Sequence, residues 1–185
     1  MNPLKDNPAP DLRRRQLLRA AASLPVLALP AIGRATEPVA RTLKFSHAHT
    51  GESLRVTYFE NGAYLPDALD EINTFMRDFR TGEVEVIAPE LLDYVHNIQL
   101  LAERQGPYTV FSAFRSPATN EMLRRNSSGV AKKSHHMKGE ALDISLQGVS
   151  AKQVRDIAVS LRSGGVGLYS NSGFVHVDVG PVRQW

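Results

Sequence analysis

The 185-residue chain contains no cysteine. Disulfides, thiolate metal sites and a cysteine nucleophile are therefore excluded, and any bound metal must be held by His, Asp or Glu. No serine nucleophile elbow is present, which removes the commonest metal-free route to hydrolysis. Long apolar runs are missing as well. The most hydrophobic stretch, Ala20 to Ile32, is interrupted by Pro25 and Pro30, whereas a spanning helix needs about 20 apolar residues. A basic stripe is also lacking. Only the pairs Arg124-Arg125 and Lys132-Lys133 stand together, so no nucleic-acid role is indicated. There are no internal repeats and no long low-complexity tract.

What is present begins with an export pattern. Arg13, Arg14 and Arg15 precede Leu17 and Leu18, then the short apolar run, then Gly33-Arg34-Ala35. A charged start, a short hydrophobic stretch and a small-residue cleavage site make up a secretory signal. Arg14-Arg15-x-Leu-Leu fits the twin-arginine form, a receptor-read address rather than an anchor. Residues 1–35 are accordingly expected to be a twin-arginine signal, 36–42 a linker and 43–185 one folded domain, located in the periplasm with no stable membrane span after cleavage. The signal carries six of the 22 Lys and Arg and two of the 19 Asp and Glu, which leaves 16 against 17. The net charge of +3 therefore belongs to the leader, and the domain is near neutral.

Periodicity within the domain predicts strands at 43–49 and 53–60, helices at 65–80 and 89–103, and a strand at 108–114. A short helix from Ser116 to Arg125, a polar loop at 126–133 and a strand at 141–145 follow. Ser150 and Gln153 form a capping-box pattern ahead of a helix ending near Gly164-Gly165. A closing hairpin pairs 166–169 with 174–179. Helices early and strands late give α+β, an antiparallel sheet flanked by helices. His96 falls on the second helix and is expected to be solvated. His47 and His49 are expected in exposed or hydrogen-bonded structural roles, and Tyr169, Phe174 and Trp185 in core or rim packing.

Two stretches carry chemistry. SHHMKGEALDI places His136 seven residues before Asp143, and GFVHVDVG sets His176 within an alternating strand. Two imidazoles and one carboxylate are the donor set that holds catalytic zinc while leaving a position for water. On the second strand Phe174, His176 and Asp178 share one face and the valines the other. The polar face must border a cleft, since unpaired burial of such groups costs several kcal/mol.

The pattern Ser134, His136, Gly139, Ala141, Asp143, Ile144 resembles the signature of the M15 zinc peptidases, on the fold shared with D-alanyl-D-alanine peptidases and the hedgehog signalling domain. FSAFRSPATN (Phe111 to Asn120) is similar to that family's Arg-bearing strand and turn. FSHAHTGESL (Phe45 to Leu54) is similar to the branch containing murein endopeptidases. The resemblance implies that His136, Asp143 and His176 bind Zn2+ and that Arg115 stabilises an oxyanion. Many members carry Glu three residues before the last ligand, but Gly173 stands there. Asp178 is then expected as general base or as an orienting group behind the metal, with His135 a further candidate for proton transfer. The implied function is an exported zinc peptidase that hydrolyses peptide cross-links of peptidoglycan. The alternative is a zinc-containing domain that binds peptidoglycan, or regulates, without cutting.

Overall fold

The structure, a computed structural model, describes residues 40–127 and 129–185. The expected export signal, and the linker up to residue 39, lie outside the described residues. Thirteen segments follow in order: β1 (Arg41–His47), β2 (Ser53–Glu60), β3 (Ala63–Tyr64), α1 (Pro66–Phe75), α2 (Pro89–Leu101), β4 (Tyr108–Ser112), α3 (Pro117–Asn126), a 3-10 turn (His135–Lys138), β5 (Ala141–Leu146), α4 (Ala151–Leu161), β6 (Gly165–Tyr169), β7 (Phe174–Asp178) and β8 (Arg183–Gln184).

The strands form one eight-stranded sheet in the order β3-β2-β1-β4-β5-β7-β6-β8. The class is α+β, as expected, but the sheet is mixed rather than wholly antiparallel. β1 runs parallel to β4 and β6 parallel to β8. The first parallel pair arises because the chain crosses over through α1 and α2 before returning beside β1, as a parallel neighbour requires.

Alternation fixes the two faces of the sheet. Leu43 and Phe45 of β1, Leu142 and Ile144 of β5, and Val175 and Val177 of β7 are all buried in one core with Leu91, Leu92, Val95 and Ile98 of α2. A fully buried Val contributes about 1.5–3 kcal/mol, so a one-residue slip of β7 would forfeit both valines and bury the wrong face. The opposite face of β5 and β7 is left for polar side chains.

Helix ends differ from the periodicity for local reasons. α1 stops at Phe75 because Asp78 turns inward, where its carboxylate accepts the N–H groups of Arg80 (3.0 Å) and Ser116 (2.9 Å). α3 begins where expected: Ser116 accepts the N–H of Thr119 and Pro117 occupies the first turn. α4 carries the expected capping box, with Ser150 and Gln153 bonded reciprocally. His96 is buried rather than solvated, 7% exposed beside Tyr58. His47 is buried too, its Nδ1 accepting the N–H groups of His49 and Thr50. Among the described residues no helix is long and apolar enough to cross a membrane.

Candidate metal centre

Strand register builds the site. In the antiparallel pairings Ser112 faces Asp143, Asp143 faces His176 and His176 faces Gly167. One residue pair further along, Ala141 faces Asp178, Asp178 faces Gly165 and Gly165 faces Arg183. These two cross-strand rows lie on the sheet face opposite the valine core. His136 reaches the first row from the 3-10 turn, which Gly139 ends in a left-handed conformation (φ 65°). A Cβ at Gly139 would also stand 2.0 Å from the Val86 carbonyl oxygen, so backbone and space both demand glycine there.

The three donor atoms converge. His176 Nδ1 lies 2.9 Å from Asp143 Oδ1 and 3.2 Å from His136 Nε2. His136 Nε2 lies 3.4 Å from the same Asp143 oxygen. Bonds of about 2.0–2.1 Å to a tetrahedral ion imply donors about 3.3 Å apart. The remaining ring nitrogens are each set against an acceptor. His136 Nδ1 donates to the Ala113 carbonyl at 2.7 Å, and His176 Nε2 donates to Asp178 Oδ2 at 2.9 Å. Both outer nitrogens must therefore carry hydrogen, which leaves the inner nitrogens with lone pairs aimed at one another and at a carboxylate. Three lone pairs facing inward make a donor set that fits a metal.

The acid–base behaviour of the group agrees. Burial pushes the His136 imidazole down and keeps it neutral. Burial alone would raise Asp143, but His136 and His176 outweigh it and hold the carboxyl well below the usual carboxylate range. Burial would lower His176, yet the Asp143 and Asp178 carboxylates facing its two ring nitrogens raise it. A metal would serve all three donors at once and leave each inner nitrogen its lone pair.

Asp178 stands behind the ring. It is fully buried, and its oxygens accept from His176 Nε2, Arg183 Nη2 (2.6 Å) and Nη1 (3.0 Å), and the N–H groups of Gly180 (2.8 Å) and Gly165 (3.2 Å). Against the expectation of a general base, this carboxylate faces the His176 nitrogen turned away from the donor set, and its acceptor capacity is filled. Burial would raise its pKa, but these donors outweigh burial and hold it below the usual range.

Arg115 and His135 line the same cleft, which encloses about 470 Å³ together with Lys133, Tyr169, Phe174 and Trp185. Arg115 Nη2 donates to Ser134 Oγ at 3.1 Å, while its buried Nε makes no protein hydrogen bond among the described residues. Burial lowers the Arg115 pKa and the Asp143 charge opposes that, so the guanidinium keeps its charge. His135 Nδ1 lies 2.7 Å from Glu140 Oε2. A carboxylate only accepts, so Nδ1 carries the hydrogen, and in the neutral imidazole Nε2 carries the lone pair. Gly173 occupies the β6–β7 turn with φ 74°, and its N–H donates to Tyr169 O at 2.9 Å.

The structure thus brings together His136, Asp143, His176, Arg115 and His135, with Asp178 behind His176. Sequence reasoning overlooked Glu140 and Arg183. Glu140 lies within the first motif and its i+5 spacing from His135 across a tight turn was a usable signal. Arg183 had none, because only the return of the chain beside β6 brings it to Asp178. Trp185 is 53% exposed on the cleft wall, the rim one of the two positions expected for it.

Comparison with known proteins gives a family match and similar individual proteins. The family model Peptidase_M15_2, described as peptidoglycan L,D-endopeptidase MepK, matches residues 35–185. The chain is 39% identical over 178 residues to "Peptidoglycan L,D-endopeptidase MepK" of Escherichia coli K12, covering 95% of this chain and 98% of that protein. It is 39% identical over 176 residues to "Probable peptidoglycan L,D-endopeptidase MepK" of Haemophilus influenzae, covering 94% and 95%. A solved structure, the L-Ala D-Glu endopeptidase ChiX of Serratia marcescens, overlays with a TM-score of 0.34 at 20% identity, covering 51% of this chain and 68% of that one.

Proposed function

The chain belongs to the Peptidase_M15_2 family and is a peptidase, and from that premise we propose that it is an exported, zinc-dependent L,D-endopeptidase cutting peptide cross-links of peptidoglycan. The observation that carries this reading is the convergence of three lone pairs, from His136, Asp143 and His176, on one wall of an open cleft. We assign those three residues as the zinc ligands. Zinc held there would lower the pKa of a bound water toward about 7 and polarise the scissile carbonyl.

The chain's own residues supply the rest. Asp178 fixes the His176 tautomer by accepting from Nε2, so that Nδ1 stays free to ligate. Arg115, whose charged side chain lines the cleft, would stabilise the carbonyl oxygen as negative charge develops. His135, held by Glu140 and lining the cleft, would take the proton released on attack and return it to the leaving amine. The non-catalytic alternative rested on glycine at position 173. That position belongs to a tight turn, and the His135–Glu140 pair supplies a proton acceptor from another element.

Residues 1–35 would direct the protein to the periplasm by the twin-arginine route, where its substrate lies. Replacing Arg14 and Arg15 by Lys is expected to leave uncleaved precursor in the cytoplasm; normal processing would overturn the route. For the activity, purified peptidoglycan is digested with the protein plus zinc, plus chelator, and with His176→Ala. Loss of L,D cross-linked muropeptides only in the zinc sample is expected. Unchanged cross-linking with zinc supplied would overturn the endopeptidase reading, and chelator-resistant products would overturn the zinc assignment.

A further inference from the structure

β6 carries glycine at two of the three positions that face the site, Gly165 and Gly167, with Tyr169 at the third. The glycines leave room for the segment 180–185, which folds back beside that strand. β8 pairs with β6 through Gly165–Arg183 and Val166–Gln184. Trp185 extends the pairing, accepting the N–H of Leu168 and donating its own to Val166 O, both at 3.1 Å. A Cβ on Gly165 would stand 2.4 Å from Arg183 Nη1 and 2.5 Å from Asp178 Oδ2. One on Gly167 would stand 2.4 Å from the Trp185 ring. Neither neighbour is a freely moving chain end, since Arg183 grips a buried carboxylate and Trp185 is tied to β6 by its backbone. The two glycines therefore form a trough in which the Arg183 and Trp185 side chains lie flat across the sheet.

Arg183 uses that position in a specific way. Its two terminal nitrogens divide between the Asp178 oxygens, Nη1 on Oδ1 at 3.0 Å and Nη2 on Oδ2 at 2.6 Å. Such a fork fixes the plane of a carboxylate, which a single-point cation does not. Oδ2, so oriented, accepts His176 Nε2–H at 2.9 Å. The Trp185 ring lies 5.3 Å from the His176 ring, and the Arg183 guanidinium 5.2 Å from the Trp185 ring. His176 is thus held from behind by the carboxylate and from the side by the indole.

We propose that Arg183 is a positioning residue for the metal centre: acting through Asp178, it fixes the His176 ring so that Nδ1 points at His136 and Asp143, while Trp185, seated on Gly167, pins the segment that carries it. This rests on the zinc assignment above. It predicts that the zinc affinity depends on a side chain that touches none of the ligands. An arginine serving only as a staple for β8 would alter melting without altering the metal.

The test measures the zinc dissociation constant by competition with a chromophoric chelator for the parent, Arg183→Gln, Arg183→Lys and His136→Ala. The His176 ring is followed in parallel by 15N–1H NMR of the zinc-loaded proteins. Arg183→Gln is expected to weaken zinc by about ten-fold or more, within the range that outer partners of metal-bound histidines command, with the His176 Nε2–H signal broadened or lost. Arg183→Lys restores the charge but not the fork, and should fall between Gln and the parent. Zinc affinity in Arg183→Gln within two-fold of the parent, with an unchanged ring signal, would overturn the proposal. Should Arg183→Gln fail to fold by circular dichroism, the Lys variant decides: affinity equal to the parent refutes the fork, and a three-fold or greater loss supports it. His136→Ala separates the two readings. A parent that binds zinc no better than His136→Ala refutes the metal site itself, whereas a parent that binds and Arg183 variants that bind equally refute only the role of Arg183.

Discussion

Two carboxylates at opposite ends of one sheet, Asp178 buried and Asp93 half-buried, show how structure and function divide this molecule. Asp93 of α2 accepts from Arg41 Nη1 (2.5 Å), Tyr58 Oη (2.9 Å) and Tyr64 Oη (2.7 Å) near the β1–β2–β3 edge. Asp178 accepts from a guanidinium, two backbone amides and His176 at the β7–β6–β8 edge. Both carboxylates are fully served. The difference lies one bond further out. The Tyr58 and Tyr64 hydroxyls each spend their hydrogen on Asp93, so that network closes on itself. The imidazole bonded to Asp178 has a second nitrogen, which points at His136 and Asp143 with no hydrogen donor between them. A closed network holds the fold; an open one marks the place where something else must bind.

The largest expected effects come from breaking the open network at its centre. His176→Ala or His136→Ala should abolish zinc binding and lower the cleavage rate by about a thousand-fold or more, since loss of metal assistance is worth several kcal/mol and each 1.4 kcal/mol is a factor of ten. Isothermal titration and muropeptide chromatography check both. Asp178→Asn probes the next position outward. If Asp178 orients the ring, zinc affinity should fall by about 10–100-fold and added zinc should recover much of the rate. A loss of rate with zinc affinity unchanged would instead restore Asp178 as the base. His135→Gln should give the complementary result: parent-like zinc affinity, parent-like KM, and kcat lower by about 100-fold or more. A parent-like kcat in His135→Gln would remove it from the mechanism.

The two carboxylates were not equally legible in the sequence. His136, Asp143 and His176 could be read because motif spacing and strand alternation are local, and register then does the assembling: Asp143 and His176 are direct partners. Asp178 could be placed on the correct face by the same alternation, but not behind the ring, because both orienting and catalytic carboxylates sit two residues from a ligand. What separates them is the Arg183 contact, made by a chain return past a turn. Asp93 drew no attention at all. Its donors come from β1, β2 and β3, which lie 29 to 52 residues away in sequence. The parallel β1–β4 and β6–β8 pairings were hidden for the same reason. Alternation reports which face a residue occupies, never which strand lies beside it.

Breaking the closed network should leave the open one intact, and that is the sharpest check on the comparison. Asp93→Asn removes a charged acceptor from the half-buried Arg41 pair and from two tyrosines, and should cost about 1–2 kcal/mol, a melting shift of about 2–8 °C for a domain this size. Zinc affinity and kcat of the folded protein should stay within two-fold of the parent. A large loss of zinc binding would show that the two ends of the sheet are coupled and that the division drawn above is wrong.

The smallest effect concerns pH. Burial alone would raise the Asp93 pKa, but hydrogen bonds from Arg41, Tyr64 and Tyr58 outweigh it and the net shift is downward. A carboxyl whose folded pKa lies below its unfolded value, about 3.9, stabilises the fold fully above that value and loses the contribution as pH falls through the folded one. The melting gap between parent and Asp93→Asn should therefore hold constant from pH 8 to about pH 5 and narrow below about pH 4. Both proteins are measured with chelator present, so that metal release by the histidines does not enter. A gap that persists undiminished well below pH 3 would mean that Asp93 contributes through shape rather than charge, and the closed network would then be a matter of packing.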